Sequence, residues 1–193
     1  VPRVSPGHLE ARRQQILDGA RAAFARHGYE GATVRVLEEE IGLSRGAIFH
    51  HFPDKEALFL ALAEQDAELT VATIADQGLI QVLRDFVHDP DPGRIGTQLE
   101  IARRWRTDAA FRQQWDRWER QIRTATRERL RRQRDAGALR RDVEVEPLAG
   151  FLELVRDGLL ARLAAGGPTE GLDQVLDLAE GAVRRAESGV SAG

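Results

Sequence analysis

TVRVLEEEIGLSRGAIFHHFPDKEAL, residues 33–58, carries helix starts and stops at a spacing that leaves few alternatives. Thr33 can cap a short helix whose Val34, Leu37 and Ile41 share one face, and Gly42 stops it. Leu43 bridges a tight turn, Ser44 caps again, and a second short helix runs through RGAIFHH. Phe52 ends that helix, because a residue before proline is pushed out of the α region. Asp54 then caps a long helix beginning KEALFLALAEQDAEL. Two short helices joined by a tight glycine-containing turn and packed on a longer first helix make a helix-turn-helix.

Working outward, Ser5-Pro6 reads as an N-cap with a first-turn proline. Ile16, Leu17, Ala20, Ala23 and Phe24 form one apolar stripe ending near His27-Gly28, before a loop at YEGA. Downstream, HDPDPG (88–93) is a loop by its prolines. QLEIARRW and FRQQWDRWERQIRTATRERLRRQRDAG are helical, with Gly137 as a stop. Pro147 opens EPLAGFLELVRDGLLARLAA, GGPTEG (166–171) turns, and LDQVLDLAEGAVRRA closes the fold. No segment alternates as a strand does, so the expected class is all-α. The expected organisation is a three-helix domain over 1–54, a larger helical domain over 55–187 and a disordered tail over 188–193.

The chain has 193 residues, no cysteine and a net charge of −3. Disulfides, thiolate metal sites and a cysteine nucleophile are therefore excluded. No apolar run approaches bilayer length and no signal-peptide pattern is present, so a cytoplasmic protein without a membrane partner is expected. Lys55 is the only lysine among 28 basic residues. In so arginine-rich a chain, a stretch such as RERLRRQR reads as a solvated helix face.

The paired histidines in GAIFHHFPDKEAL raise the question of a metal site. Adjacent side chains on a helix point about 100° apart, so His50 and His51 diverge, and no HExxH spacing or paired carboxylates lie nearby. No Ser/His/Asp arrangement or phosphate-binding glycine loop supports an enzyme. A DNA surface accounts for more of the residues. A recognition helix needs small residues for close approach and donors for bases and phosphates, which Ser44, Arg45, Gly46 and Ala47 supply. Leu43, Ile48 and Phe52 can pack inward while Phe49, His50 and His51 stay near the DNA-facing side. Lys55, in the first turn of the next helix, can meet the same phosphates.

From AAFARHGYEGATVR through IGLSRGAIFHHFPDKEALF the chain resembles the tetracycline-repressor (TetR) family of one-component transcriptional regulators. The resemblance implies an N-terminal helix-turn-helix domain on a larger helical domain that binds an effector and dimerises through its last two helices. It places Thr33, His51 and Lys55 at phosphates and Arg45, Gly46, Ala47 and His50 at bases, with Arg35 beside Thr33 in the same surface. Phe49 stands where the family usually has tyrosine, which removes a hydroxyl contact to phosphate. Glu38 and Glu40 replace small residues, and the acidic run they belong to reads as a solvated face. RHGYEGATVR, LEEEIGLSRGAIFHHF, DKEALFLALA, RTDAAFR and TEGLDQVLDLAEGAVR together resemble one branch, the aconitase repressors. That branch represses the aconitase gene and responds to citrate bound with Mg2+; no other cofactor is implied.

If an acidic effector binds, charges should stand on apolar stripes. Trp115, Trp118, Ile122 and Ala125 form a stripe whose next turn holds Arg129. Glu180 edges the stripe of Leu172, Val175, Leu176, Ala179 and Val183. These two charges either pair with each other or snorkel outward, or they form an anion site in which Arg129 grips a carboxylate and Glu180 holds a hard cation. The aconitase-repressor resemblance places citrate-binding arginine and Mg2+-binding glutamate at these positions. Glu100, Glu153 and Asp157 are weaker effector candidates, better suited to salt bridges, and Trp105, Trp115 and Trp118 suit either a pocket or plain core. Leu148, Phe151, Leu152, Val155, Leu159 and Leu163 give the penultimate helix a broad apolar arc, which supports a homodimer reading a palindrome. The resulting expectation is a dimeric repressor of an aconitase gene. A TetR-type regulator with another effector and a helical ligand-binding module without a DNA role are the alternatives.

Overall fold

The computed structural model describes residues 6–184, so the expectations for Ser5 and for the tail at 188–193 lie outside the described residues. The helices are α1 (Pro6–Gly31), α2 (Val34–Ile41), α3 (Arg45–His51), α4 (Lys55–Asp76), α5 (Leu79–His88), α6 (Pro92–Thr107), α7 (Ala109–Asp135), α8 (Val145–Ala164) and α9 (Leu172–Val183). Among the described residues there is no strand, only a single antiparallel pairing of Leu139 with Arg184. The all-α class holds.

The chain divides into two compact units. Among the described residues, one comprises 6–66 together with Asp91–Ala109, and the other comprises Ala67–Pro90 together with 110–184. The division expected at residue 54 is therefore displaced in two ways. The first turns of α4 belong with the helix-turn-helix, and so does α6, which packs along α1.

In the first unit Ile16, Ala20, Ala23, Leu37, Ile48, Leu58 and Leu62 are fully buried. Each large apolar side chain so buried contributes roughly 1.5–3 kcal/mol. α1 and α2 approach so closely that a Cβ on Gly19 would meet Ile41 Cγ1 at 2.7 Å and Ile41 Cα at 2.8 Å. Gly28 (φ 67°, ψ 172°) interrupts α1 where the stripe was expected to end, turning Tyr29 back toward Phe24 and Phe59, with ring centroids 5.7 and 5.2 Å away. A buried carboxylate, Asp66, is gripped by both nitrogens of Arg21 at 2.9 and 2.8 Å. Such a charge is tolerable only because it is paired.

The second unit contains α5, a helix that was not assigned from the sequence. Gly78 (φ 98°) breaks the chain between α4 and α5, and Leu79, Val82, Leu83 and Phe86 are then buried. α5 packs on α8 and α9, and α7 buries Phe111, Trp115, Trp118, Ile122 and Leu130 within the same unit. Trp115 and Trp118 are thus core residues.

Candidate functional site

The helix-turn-helix is built by side-chain caps. Thr33 accepts from the Val36 amide and Ser44 from the Ala47 amide, each at 3.4 Å, and Asp54 Oδ1 accepts from the Ala57 amide at 2.7 Å. Gly42 (φ 72°) adopts the left-handed conformation that lets its N–H reach the Glu38 carbonyl. Ile48 and Phe52 anchor α3 inward, and Arg13 lies over the Phe52 ring at 4.4 Å. Thr33, Arg35, Ser44, Arg45, Gly46 and His50 are left exposed, with Ala47, Phe49, His51 and Lys55 half-buried beside them.

Several side chains behave differently from expectation. The rings of His50 and His51 do not diverge fully but meet edge to face, with centroids 5.5 Å apart. Among the described residues no group of His, Cys, Asp or Glu could hold a metal ion by itself. Lys55 donates to the Tyr29 carbonyl at 2.8 Å and lies 4.3 Å from that ring's centroid, so it fastens the start of α4 to the kink in α1. The acidic run of α2 is not simply solvated. Glu38 accepts from the Arg45 amide at 2.6 Å, capping the recognition helix from outside, and Glu40 is held by Arg26 at 2.7 and 2.8 Å. Only Glu39 is exposed, 3.5 Å from Arg35. The acids that replace small residues are thus neutralised by N–H groups and cations next to the prospective phosphate surface.

Arg104 carries no signal in the sequence beyond its helical position, yet it is buried in the first unit. It donates to Glu56 at 2.7 Å and Asp108 at 3.3 Å and lies 5.4 Å from the Tyr29 ring centroid. Burial raises the pKa of the Tyr29 phenol against the pull of the Arg104 charge.

The second unit contains a cavity of about 460 Å³ lined by Arg129, Glu180, Gln77, Thr126, Gln133 and Arg184 together with apolar side chains of α5, α7, α8 and α9. Arg129 and Glu180, chosen as charges on apolar stripes, therefore share one cavity. Arg129 Nε is fully buried and has no hydrogen-bond partner among the described residues. An orphaned guanidinium nitrogen is costly, by about 1–3 kcal/mol, unless something else binds it. Glu180 does not pair with Arg129: Arg84 Nη2 lies 2.8 Å from its Oε2, and Arg184 Nη2 makes a close contact with its Oε1. Arg84 also donates to Asp177 at 2.8 Å, and its bonds to Asp177 and Glu180 raise its pKa.

The weaker candidates lie elsewhere. Glu100 belongs to the first unit and is bound to Arg103 at 2.9 and 2.5 Å. Glu153 accepts from Arg127 at 3.3 Å, and Asp157 is an exposed partner of Arg156 at 3.1 Å. None of the three lines the cavity with Arg129. Arg84 and Arg184 were missed; the i,i+4 spacing of Glu180 and Arg184 was the available signal.

A capped helix-turn-helix with small and basic residues on its outer face defines a DNA-binding regulator. Residues 16–62 match the family described as bacterial regulatory proteins, tetR family. Over 186 residues the chain is 53% identical to the HTH-type transcriptional repressor Rv1474c of Mycobacterium tuberculosis, covering 96% of this chain and 100% of that protein. It is 50% identical over 188 residues to the HTH-type transcriptional repressor AcnR of Corynebacterium diphtheriae, covering 97% and 99%. The fold is similar to that of Salmonella enterica GusR, with a TM-score of 0.73 at 19% identity over 94% of this chain and 98% of that one. The chain belongs to the tetR family and is a transcriptional repressor, not an enzyme. Among the described residues no helix is long and apolar enough to cross a membrane.

Proposed function

We propose that this chain represses an aconitase gene as a homodimer on a palindromic operator and leaves the DNA when citrate binds with Mg2+ in the α5–α9 cavity. The observation that carries the effector assignment is the buried, unpartnered Arg129 Nε on a cavity wall that also holds Glu180. A guanidinium fork suits a carboxylate, and a polycarboxylate supplies several. The similarity to AcnR repressors supports the gene assignment.

The donor set fits a metal that arrives with its ligand. Glu180 is one hard oxygen donor, and Mg2+ characteristically takes one or two protein carboxylates and completes its shell from the bound substrate and water. Glu180 would hold the ion and Arg129 the organic anion; bound Mg2+ would supply charge neutralisation.

On the DNA side, Thr33, Ser44, His51 and Lys55 hold phosphates, helped by Arg35, and Arg45, Gly46, Ala47 and His50 read base edges, with Phe49 packing beside them. The apolar side chains left exposed on α8 and α9, Leu154 at 73% and Leu178 at 74% with Phe151 and Val175, form the homodimer face. A two-fold dimer sets the half-sites one or more helical turns, ~34 Å each, apart. Citrate with Mg2+ favours the conformation that binds DNA less tightly, and DNA reciprocally weakens the effector.

Titration calorimetry with citrate in the presence of Mg2+ tests this. Binding is expected, with Arg129→Ala weakening it at least about tenfold, the loss expected for a hydrogen bond to a charged group. Absence of binding to the wild-type protein, or binding that Arg129→Ala and Glu180→Ala leave unchanged, overturns the effector assignment.

A further inference from the structure

Glu180 is the only carboxylate lining the cavity among the described residues, and it is doubly held. The two arginines that hold it are not equivalent. Arg84, on α5, also binds Asp177 and stands outside the cavity lining. Arg184 lines the cavity, its side chain is 67% exposed, and among the described residues its guanidinium is recorded on Glu180 alone. The base of this side chain is fixed all the same. Its N–H donates to the Glu180 carbonyl at 3.1 Å, the Arg140 N–H donates to the Val183 carbonyl at 3.2 Å, and Arg140 Nη1 reaches the Ala182 carbonyl at 3.0 Å. A fixed backbone therefore carries a weakly held, exposed guanidinium at the edge of an anion cavity.

The charged groups on the lining are Arg129 and Arg184 against Glu180. Each Glu180 oxygen already carries one guanidinium, so a divalent cation bound there stands against two positive charges and favours the departure of one of them. Displacing Arg84 would also disturb its bond to Asp177, whereas Arg184 gives up the Glu180 contact alone. Once displaced, Arg184 remains on the wall beside a new positive charge and facing any anion that came with it.

We propose that Arg184 is a second anion-binding arginine of this cavity, stored on Glu180 until a divalent cation takes that carboxylate and then transferred to a carboxylate of the incoming anion. This rests on the citrate and Mg2+ reading of the cavity. It makes cation and anion binding mutually dependent: an anion alone meets Glu180, and a cation alone meets the guanidinium that occupies Glu180. Coupling of this sign is positive cooperativity within one site.

Arg184→Gln distinguishes the exchange from a plain salt bridge, because the exchange moves two affinities in opposite directions. For citrate with saturating Mg2+, calorimetry should show the variant about tenfold weaker than wild type, the loss of a charged hydrogen bond. For Mn2+ alone, followed by electron paramagnetic resonance, the variant should bind about threefold more tightly, because an exposed competitor has gone. Arg184→Lys, which keeps the charge without the fork, should fall between the two and serves as the test if the glutamine variant does not fold. Wild-type binding of citrate with Mg2+ that Arg184→Gln and Arg184→Lys both leave unchanged overturns the proposal while the citrate reading survives. Weakening of both Mn2+ and citrate binding in Arg184→Gln also overturns it, since that is the effect of a structural bridge. No wild-type binding of citrate with Mg2+ removes both readings together.

Discussion

Arg129→Met should make the ligand-free protein more stable, not less. The substitution removes the buried Nε that has no partner among the described residues. A buried donor left unsatisfied costs about 1–3 kcal/mol, and methionine keeps an unbranched stem without bringing a donor. Some packing is lost, because the Arg129 stem lies near Gly78: a Cβ there would stand 3.9 Å from Arg129 Cγ. Setting that loss against the donor leaves a gain of about 1 kcal/mol, which for a chain of this size raises Tm by ~2–4 °C. Differential scanning calorimetry of both proteins without ligand reads this directly. Repeating the scans with citrate and Mg2+ at a hundred times the wild-type dissociation constant should stabilise the wild type by about 2.7 kcal/mol and Arg129→Met by about 1.4 kcal/mol or less, as a loss of tenfold or more in affinity requires. A ligand-free variant that melts several degrees below wild type would refute the reasoning, because Arg129 would then be holding the fold rather than waiting for an anion.

Lys55→Ala should weaken binding to all duplexes alike and lower the salt slope by about one, as expected for a phosphate contact. Because Lys55 also binds the Tyr29 carbonyl, the same variant should lose about 1 kcal/mol of stability in urea titrations. Arg45→Ala should instead relax discrimination at one base pair by about 1–3 kcal/mol in competition binding. Leu154→Glu combined with Leu178→Glu should give monomers in sedimentation velocity with an unchanged circular dichroism spectrum, since both side chains are largely exposed in the single chain. Asp142, bonded to Arg140, should titrate at about 2 by NMR. A folded-state pKa below the unfolded one means that this pairing favours the fold above the ordinary carboxylate range and ceases to do so as pH falls through about 2. Arg140→Gln should return the carboxyl to the ordinary range.

The helix-turn-helix was legible because its signals are local. Thr33, Ser44 and Asp54 accept the amides that capping requires, and Gly42 supplies the left-handed stop. Gly28 likewise ends the regular part of α1. What sequence spacing could not supply was the identity of partners distant in the chain. Lys55 reaches a carbonyl 26 residues away, and Arg84 reaches a carboxylate 96 residues away. Glu38 looked anomalous as a replacement for a small residue because its role, capping α3 through the Arg45 amide, depends on how α2 and α3 meet. Helical periodicity placed Arg129 and Glu180 on inward faces, and they share one cavity. The same periodicity left open whether they pair, and the competing partners Arg84 and Arg184 decide that against them. α5 was lost because helical spacing continues on both sides of Gly78, and only the backbone turn at that glycine separates the two helices.

The central claim is that citrate and Mg2+ together release this repressor from DNA. Fluorescence anisotropy on a palindromic duplex from the region upstream of an aconitase gene, titrated with citrate at fixed Mg2+ and again with Mg2+ removed by a chelator, tests it most directly. The account predicts salt-sensitive binding of the duplex, release by citrate when Mg2+ is present, and far weaker release when it is absent. Duplex binding that citrate and Mg2+ together leave untouched would contradict it.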